Sequence, residues 1–173
     1  MKISLTPIGN IDNKVMEGLK ERVSQTFGCP IEITSEFNSL DKAYDLGREQ
    51  YIASILLAKL KASGVANDVK VLGIIDADLY APGLNFVFGE ADIVSESAII
   101  SLCRLRQEYY GLPSDEVLFS DRAAKEAVHE LGHTFGLGHC SDSNCVMRFS
   151  NGLADTDRKQ ITFCSRCRPK LMK

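Results

Sequence analysis

The chain's three histidines all fall within twelve residues, His129-Glu130-Leu131-Gly132-His133-Thr134-Phe135-Gly136-Leu137-Gly138-His139-Cys140. Four of its six cysteines begin where that stretch ends. On a helix, His129 and His133 share one face, with their Cβ atoms about 5–6 Å apart. That separation suits two imidazole nitrogens closing on one zinc ion at about 2.0–2.1 Å each. Gly136 can take a left-handed conformation and end the helix. The chain then turns back and delivers His139 as a third ligand. Three ligands leave one position for water, the open coordination of a catalytic zinc. Glu130 is expected beside the metal without binding it. There it takes a proton from the zinc-bound water and later returns it to a leaving amine. The expected reaction is hydrolysis of an acyl bond, a peptide bond above all. An amphipathic helix with two incidental histidines explains H-E-x-x-H alone. It does not explain the glycine and the third histidine at fixed spacing.

A helix carrying this stretch has to be held by other elements. The pattern predicts an active-site helix over about 121–135, capped by Ser120 or Asp121 and stopped at Gly136. Upstream, residues 2–8 read as a strand, and Asn10 or Asp12 caps a helix running to about Phe27 with Val15, Leu19, Val23 and Phe27 on one face. Gly28-Cys29-Pro30 ends it. Residues 31–37 read as a second strand and 48–62 as a second helix. The apolar run 69–75 suits a central strand. Residues 86–88 and 98–102 are short strand candidates joined by a polar loop with Gly89, Glu90 and Asp92. Residues 140–157 read as loop and 157–170 as a short terminal helix. The order implies an α/β (α+β) fold: a twisted mixed sheet with helices packed on it.

The 173 residues suit one domain, long enough to bury a core without disulfides. With 45% hydrophobic and 25% charged residues the composition is that of a globular chain. A net charge of −3 argues against nucleic acid as the main partner. The tail differs: Arg158, Lys159, Arg166, Arg168, Lys170 and Lys173 come with no acidic residue among them from Arg158 onward. Such a run is expected to be a solvated face. The first residues lack the apolar run of a signal peptide, no pro-peptide is expected ahead of the domain, and no stretch approaches the roughly 18 apolar residues of a membrane span. A cytoplasmic monomer acting on a peptide or protein substrate is expected, with no membrane partner. In a reducing compartment clustered cysteines point to metal before disulfides. Cys29 and Cys103 read as small buried hydrophobes. Asp76, Asp78, Glu90 and Asp92 read as capping and turn residues.

Taken together, H-E-x-x-H-x-x-G-x-x-H-C, Cys145-x-Met147 and Cys164-x-x-Cys167 resemble the archaemetzincins of the metzincin clan of zinc peptidases. The resemblance extends through Phe88-Gly89, Arg104-Leu105 and residues 157–163, and so covers most of the chain. It implies a catalytic zinc on His129, His133 and His139, Glu130 as general base and acid, and Met147 as the hydrophobic floor under the metal. It implies a second, structural zinc on Cys140, Cys145, Cys164 and Cys167. It also implies an N-terminal subdomain over 1–139, with the active-site helix, and a small zinc-stapled C-terminal subdomain over 140–173. Some metzincins carry a tyrosine two residues after the methionine, which helps bind the transition state. Phe149 stands there and has no proton to donate.

The cysteine spacing agrees with that second metal. Four thiolates at about 2.3 Å make the closed tetrahedral site of a structural zinc. Cys140 is bonded to His139, so the second metal would fix the third ligand of the first. The resemblance also implies that residues 86–102 supply the sheet edge that pairs with an extended peptide. The competing reading is a zinc-stabilised binding module whose hydrolytic site is unused and whose basic tail contacts a partner. The presence of Glu130 favours the enzyme, because a binding module has no need of a base there.

Overall fold

The computed structural model describes residues 2–63 and 69–172; Met1 and Lys173, the last cation of the basic tail, lie outside the described residues. In chain order the elements are β1 (Lys2–Ile8), α1 (Asn13–Phe27), β2 (Ile31–Ile33), β3 (Tyr44–Asp45), β4 (Gln50–Ile52), α2 (Ala53–Ala62), β5 (Val69–Ile75), β6 (Leu79–Tyr80), β7 (Gly89–Asp92), β8 (Ser97–Ser101), α3 (Glu116–Thr134) and α4 (Leu153–Arg158). Short 3₁₀ turns cover Cys103–Leu105, Gln107–Tyr110 and Arg168–Met172.

Two apolar strands make the centre. β1 and β5 run parallel over seven registered pairs, from Lys2 opposite Val69 to Ile8 opposite Ile75. The sheet order is β2-β1-β5-β8-β7. Its first four strands are parallel, and β7 closes the edge antiparallel to β8. This is the mixed α/β sheet expected. Because side chains alternate along a strand, the two faces enter two cores. Ile3, Leu5, Leu72, Ile74, Ala98 and Ile100 pack with α1 and α3. Ile8, Ile75 and Ile99 pack with Leu56, Leu57 and Leu60 of α2. A parallel strand buried on both faces must be apolar throughout, as β5 is from Val71 on. Cys145, Val146, Met147, Phe163, Cys167 and Leu171 join the α3-side core, so the described segment after His139 shares the core of the sheet layer.

Asp12 caps α1 by accepting from Lys14 N at 2.7 Å, and Gly28 (φ +70°) ends it. Several boundaries differ from expectation. The helix expected over 121–135 begins at Glu116, five residues before 121, because Asp115 accepts from Leu118 N at 2.9 Å and caps it there. Asp121 lies inside the helix and pairs instead with Arg22 and Lys125. The expected strand at 86–88 gives way to β7 at Gly89–Asp92, inside the segment read as a polar loop. Its ladder with β8 depends on backbone groups, which composition does not report. Within 48–62, residues 50–52 form a strand before α2 starts. The terminal helix is replaced by α4 and the 3₁₀ turn Arg168–Met172, separated by the loop that carries Cys164 and Cys167. Cys29 and Cys103 are half-buried. The tail is not one solvated face: Lys159 is fully buried, Arg166 reaches Ser141, and Arg168 donates to Thr26 O. Among the described residues, no helix is long and apolar enough to cross a membrane.

Candidate active site and metal centres

α3 presents His129, Glu130 and His133 toward a cavity of about 680 Å³ lined also by His139, Glu126, Phe149 and the edge strand β7. Gly136 (φ +80°) takes the left-handed conformation that ends the helix, and its N–H donates to His133 O at 2.9 Å. The return brings His139 beside the helix, with ring centroids 5.4 Å from His129 and 4.9 Å from His133. One ring nitrogen of each histidine lies within 4.8 Å of the others.

The protons on two of these rings are accounted for. His129 Nδ1 donates to Val146 O at 2.7 Å, and His133 Nδ1 donates to Leu137 O at 2.7 Å. Both Nε2 atoms are therefore bare lone pairs, yet they face each other at 3.1 Å. Two lone pairs so placed repel unless a cation lies between them. Tetrahedral zinc with nitrogens at about 2.0–2.1 Å sets them roughly 3.3 Å apart, so the arrangement fits that ion. Burial holds all three imidazoles below their usual pKa, assisted at His129 by the Lys159 ammonium, so they favour the neutral, ligating form. Burial pushes the Glu130 carboxyl well above its usual range, and the Glu126 carboxylate adds to it.

Two close approaches set this geometry. A Cβ on Gly89 would stand 2.6 Å from Glu130 Cγ and 2.7 Å from Ile99 O, so only glycine lets the edge strand pass over the glutamate. A Cβ on Gly132 would collide with Met147 Sδ. Met147, fully buried, thus packs directly against the active-site helix. The turn that carries it is tied on both sides: Cys140 N donates to Met147 O at 2.8 Å, and Val146 N donates to Thr162 O at 3.0 Å. The Phe149 ring lies 4.9 Å from that of His139.

The four C-terminal cysteines converge as a second group, their sulfurs all within 4.8 Å of one another and all free. Cys140 and Cys164 are 3.8 Å apart. That is far beyond the roughly 2.05 Å of a disulfide. It matches the spacing of about 3.8 Å that four sulfurs take around one zinc at about 2.3 Å. The Cys164 thiol is lowered to about 6: partial burial raises it, but the backbone N–H groups of Arg166 and Cys167 and the neighbouring thiols of Cys145 and Cys167 outweigh that. The acidic residues weighed earlier form no such group among the described residues. Asp78 is held by Arg104 at 2.7 and 2.6 Å, and Asp92 accepts from Val94 N in a turn.

Two residues at the site escaped the sequence reading. Glu126 and Lys159 form an ion pair at 2.9 Å with side-chain exposures of 3% and 0%. Glu126 had a signal, since it precedes Glu130 by four residues on one helix face. Lys159 had none, because its burial depends on α4 folding back against α3. That return is held by Arg122, which grips Asp157 with two hydrogen bonds of 2.6 and 2.7 Å, and by Lys125, which donates to Thr156 O at 3.2 Å.

A family model described as Peptidase family M54 matches residues 14–173. An archaemetzincin of Methanocaldococcus jannaschii is 40% identical over 171 residues, covering 99% of this chain and 93% of that relative. Among solved structures, a zinc-dependent peptidase from Methanocorpusculum labreanum superposes with a TM-score of 0.90 at 31% identity, covering 98% and 99% of the two chains. The archaemetzincin from Methanopyrus kandleri superposes with a TM-score of 0.86 at 40% identity, covering 99% of this chain and 93% of that one.

Proposed function

This chain belongs to peptidase family M54, the archaemetzincins, and is a zinc metallopeptidase; from that premise we propose that it hydrolyses peptide bonds at the His129–His133–His139 cleft, with Glu130 as general base and acid. The observation that carries this reading is the convergence of bare imidazole nitrogens beside a buried carboxyl in an open cleft. His129, His133 and His139 hold the catalytic zinc. Bound there, the ion polarises a scissile carbonyl and lowers the pKa of a water.

The chain's own residues do the rest. Glu130 takes a proton from the attacking water and hands it to the leaving amine. Burial raises its pKa, which favours the protonated form from which it acts as the acid. Gly89 keeps it in place under β7. The outer edge of β7, at the margin of the sheet, offers backbone donors and acceptors to an extended substrate. Met147 forms an apolar floor against Gly132. Cys140, Cys145, Cys164 and Cys167 hold a second, structural zinc, which anchors His139 and the Met147 turn. Two zinc ions per chain follow.

The test is Glu130→Gln, which keeps shape and removes the base. We expect zinc content and thermal stability close to the parent and kcat lowered about 10²–10⁴-fold. Peptide turnover within threefold of the parent, with zinc bound, would exclude this mechanism.

A further inference from the structure

The cavity lining includes Glu126, one member of a buried charge pair to which the proposed hydrolysis assigns no proton transfer. Glu126 lines the cavity one helical turn before His129 and Glu130. Its Oε1 accepts from Lys159 Nζ at 2.9 Å and from Thr156 Oγ1 at 3.0 Å. Lys159 Nζ also lies 3.5 Å from Arg148 O, in the turn leading to Phe149, Ser150 and Asn151, which line the same cavity. Neither charge is exposed enough to be neutralised by solvent. A buried charge without a partner is strongly unfavourable, so the two act as one neutral unit.

We propose that Glu126 is a specificity-determining residue at the end of the pocket for a side chain flanking the scissile bond, and that Lys159, by cancelling its charge, makes this pocket select uncharged side chains. The inference rests on the peptidase reading above. Its logic is local. A substrate arginine or lysine finds its counter-charge already taken and brings a second cation toward Lys159. A substrate glutamate brings a second carboxylate toward Glu126. An apolar side chain meets Phe149 and a neutral end wall, and no charge is left unmatched. Removing one member of the pair should therefore open the pocket to the charge that was lost. Lys159→Met leaves a carboxylate that a basic side chain can match. Glu126→Gln leaves an ammonium that an acidic one can match.

The experiment uses zinc-loaded full chain and peptides identical except at the two residues flanking the cleaved bond, which are Leu, Arg or Glu. In Lys159→Met the Arg:Leu ratio of kcat/KM is expected to rise about tenfold or more, and in Glu126→Gln the Glu:Leu ratio is expected to do so. The double variant should return to the parent ratios, since it is neutral again. The same peptides, titrated calorimetrically into zinc-loaded Glu130→Gln protein carrying each replacement, should shift in affinity in the same directions. Opposite shifts in the two single variants are something a merely structural pair would not produce. If Lys159→Met fails to fold, Glu126→Gln and the double variant carry the comparison. Unchanged ratios, or an equal loss for every peptide, would overturn the subsite and leave the peptidase reading standing. A parent that neither cleaves nor binds any of these peptides would overturn both.

Discussion

Gly89→Ala tests how closely the edge strand governs the chemistry. Gly89 has no left-handed φ, so alanine would be free to adopt its backbone conformation. The obstacle is space. The added methyl would sit 2.6 Å from Glu130 Cγ, 2.9 Å from its carboxyl carbon and 2.7 Å from Ile99 O. An ordinary carbon–carbon contact is about 3.5–4.0 Å, so roughly 1 Å must be found. The Ile99 carbonyl is part of the β8 ladder and cannot supply it alone. The movement therefore falls on Glu130, on β7, or on both, and either displaces the base from the substrate. A misplacement of about 1 Å costs on the order of 10²-fold in rate. Overpacking also lowers stability by about 1–3 kcal/mol, which a thermal melt reads separately. The assay is kcat and KM on one peptide, with zinc content measured on the same sample. We expect kcat/KM down about a hundredfold with zinc fully retained. A folded Ala variant within threefold of parent activity would refute the claim that this glycine is kept for Glu130.

Gly132→Ala presses a methyl onto Met147 Sδ and the Phe163 ring edge at 3.2 Å; calorimetric melting should show a loss of about 1–3 kcal/mol, more for alanine here than at solvent-facing Gly138. Cys140→Ser breaks the cysteine group next to His139; competition with a chelator should show weaker zinc at the histidines as well, and unchanged catalytic-zinc affinity would show that the two centres are not coupled. Lys159→Met leaves the buried Glu126 without its counter-charge, with only the Thr156 hydroxyl as partner, and should cost about 3–5 kcal/mol in denaturant unfolding, with much of that recovered in the Glu126→Gln/Lys159→Met double variant.

The grouping of the candidate site residues was legible in the chain because it is written in short-range spacing. His129, Glu130 and His133 are fixed by helical period, and Gly136 by its left-handed turn, so their convergence needed no tertiary information. Cys140, Cys145, Cys164 and Cys167 were legible as a set because thiols gathered in one short segment have few other uses. The central strand Val69–Ile75 was legible because a strand buried on both faces must be apolar. The helix start was misread because Ser120 and Asp121 are as good caps as Asp115. Capping preference ranks residue types, and packing selects among equals.

What the chain alone determined, then, is which atoms can bind metal and move a proton. Tertiary structure decided what surrounds them. That β7 passes over Glu130 depends on Gly89 meeting a residue 41 positions further along the sequence. That Lys159 is buried against Glu126, and not part of a solvated basic face, depends on α4 folding back onto α3. Such facts escape a linear reading because burial belongs to pairs of surfaces. A lysine carries no mark of which surface will cover it.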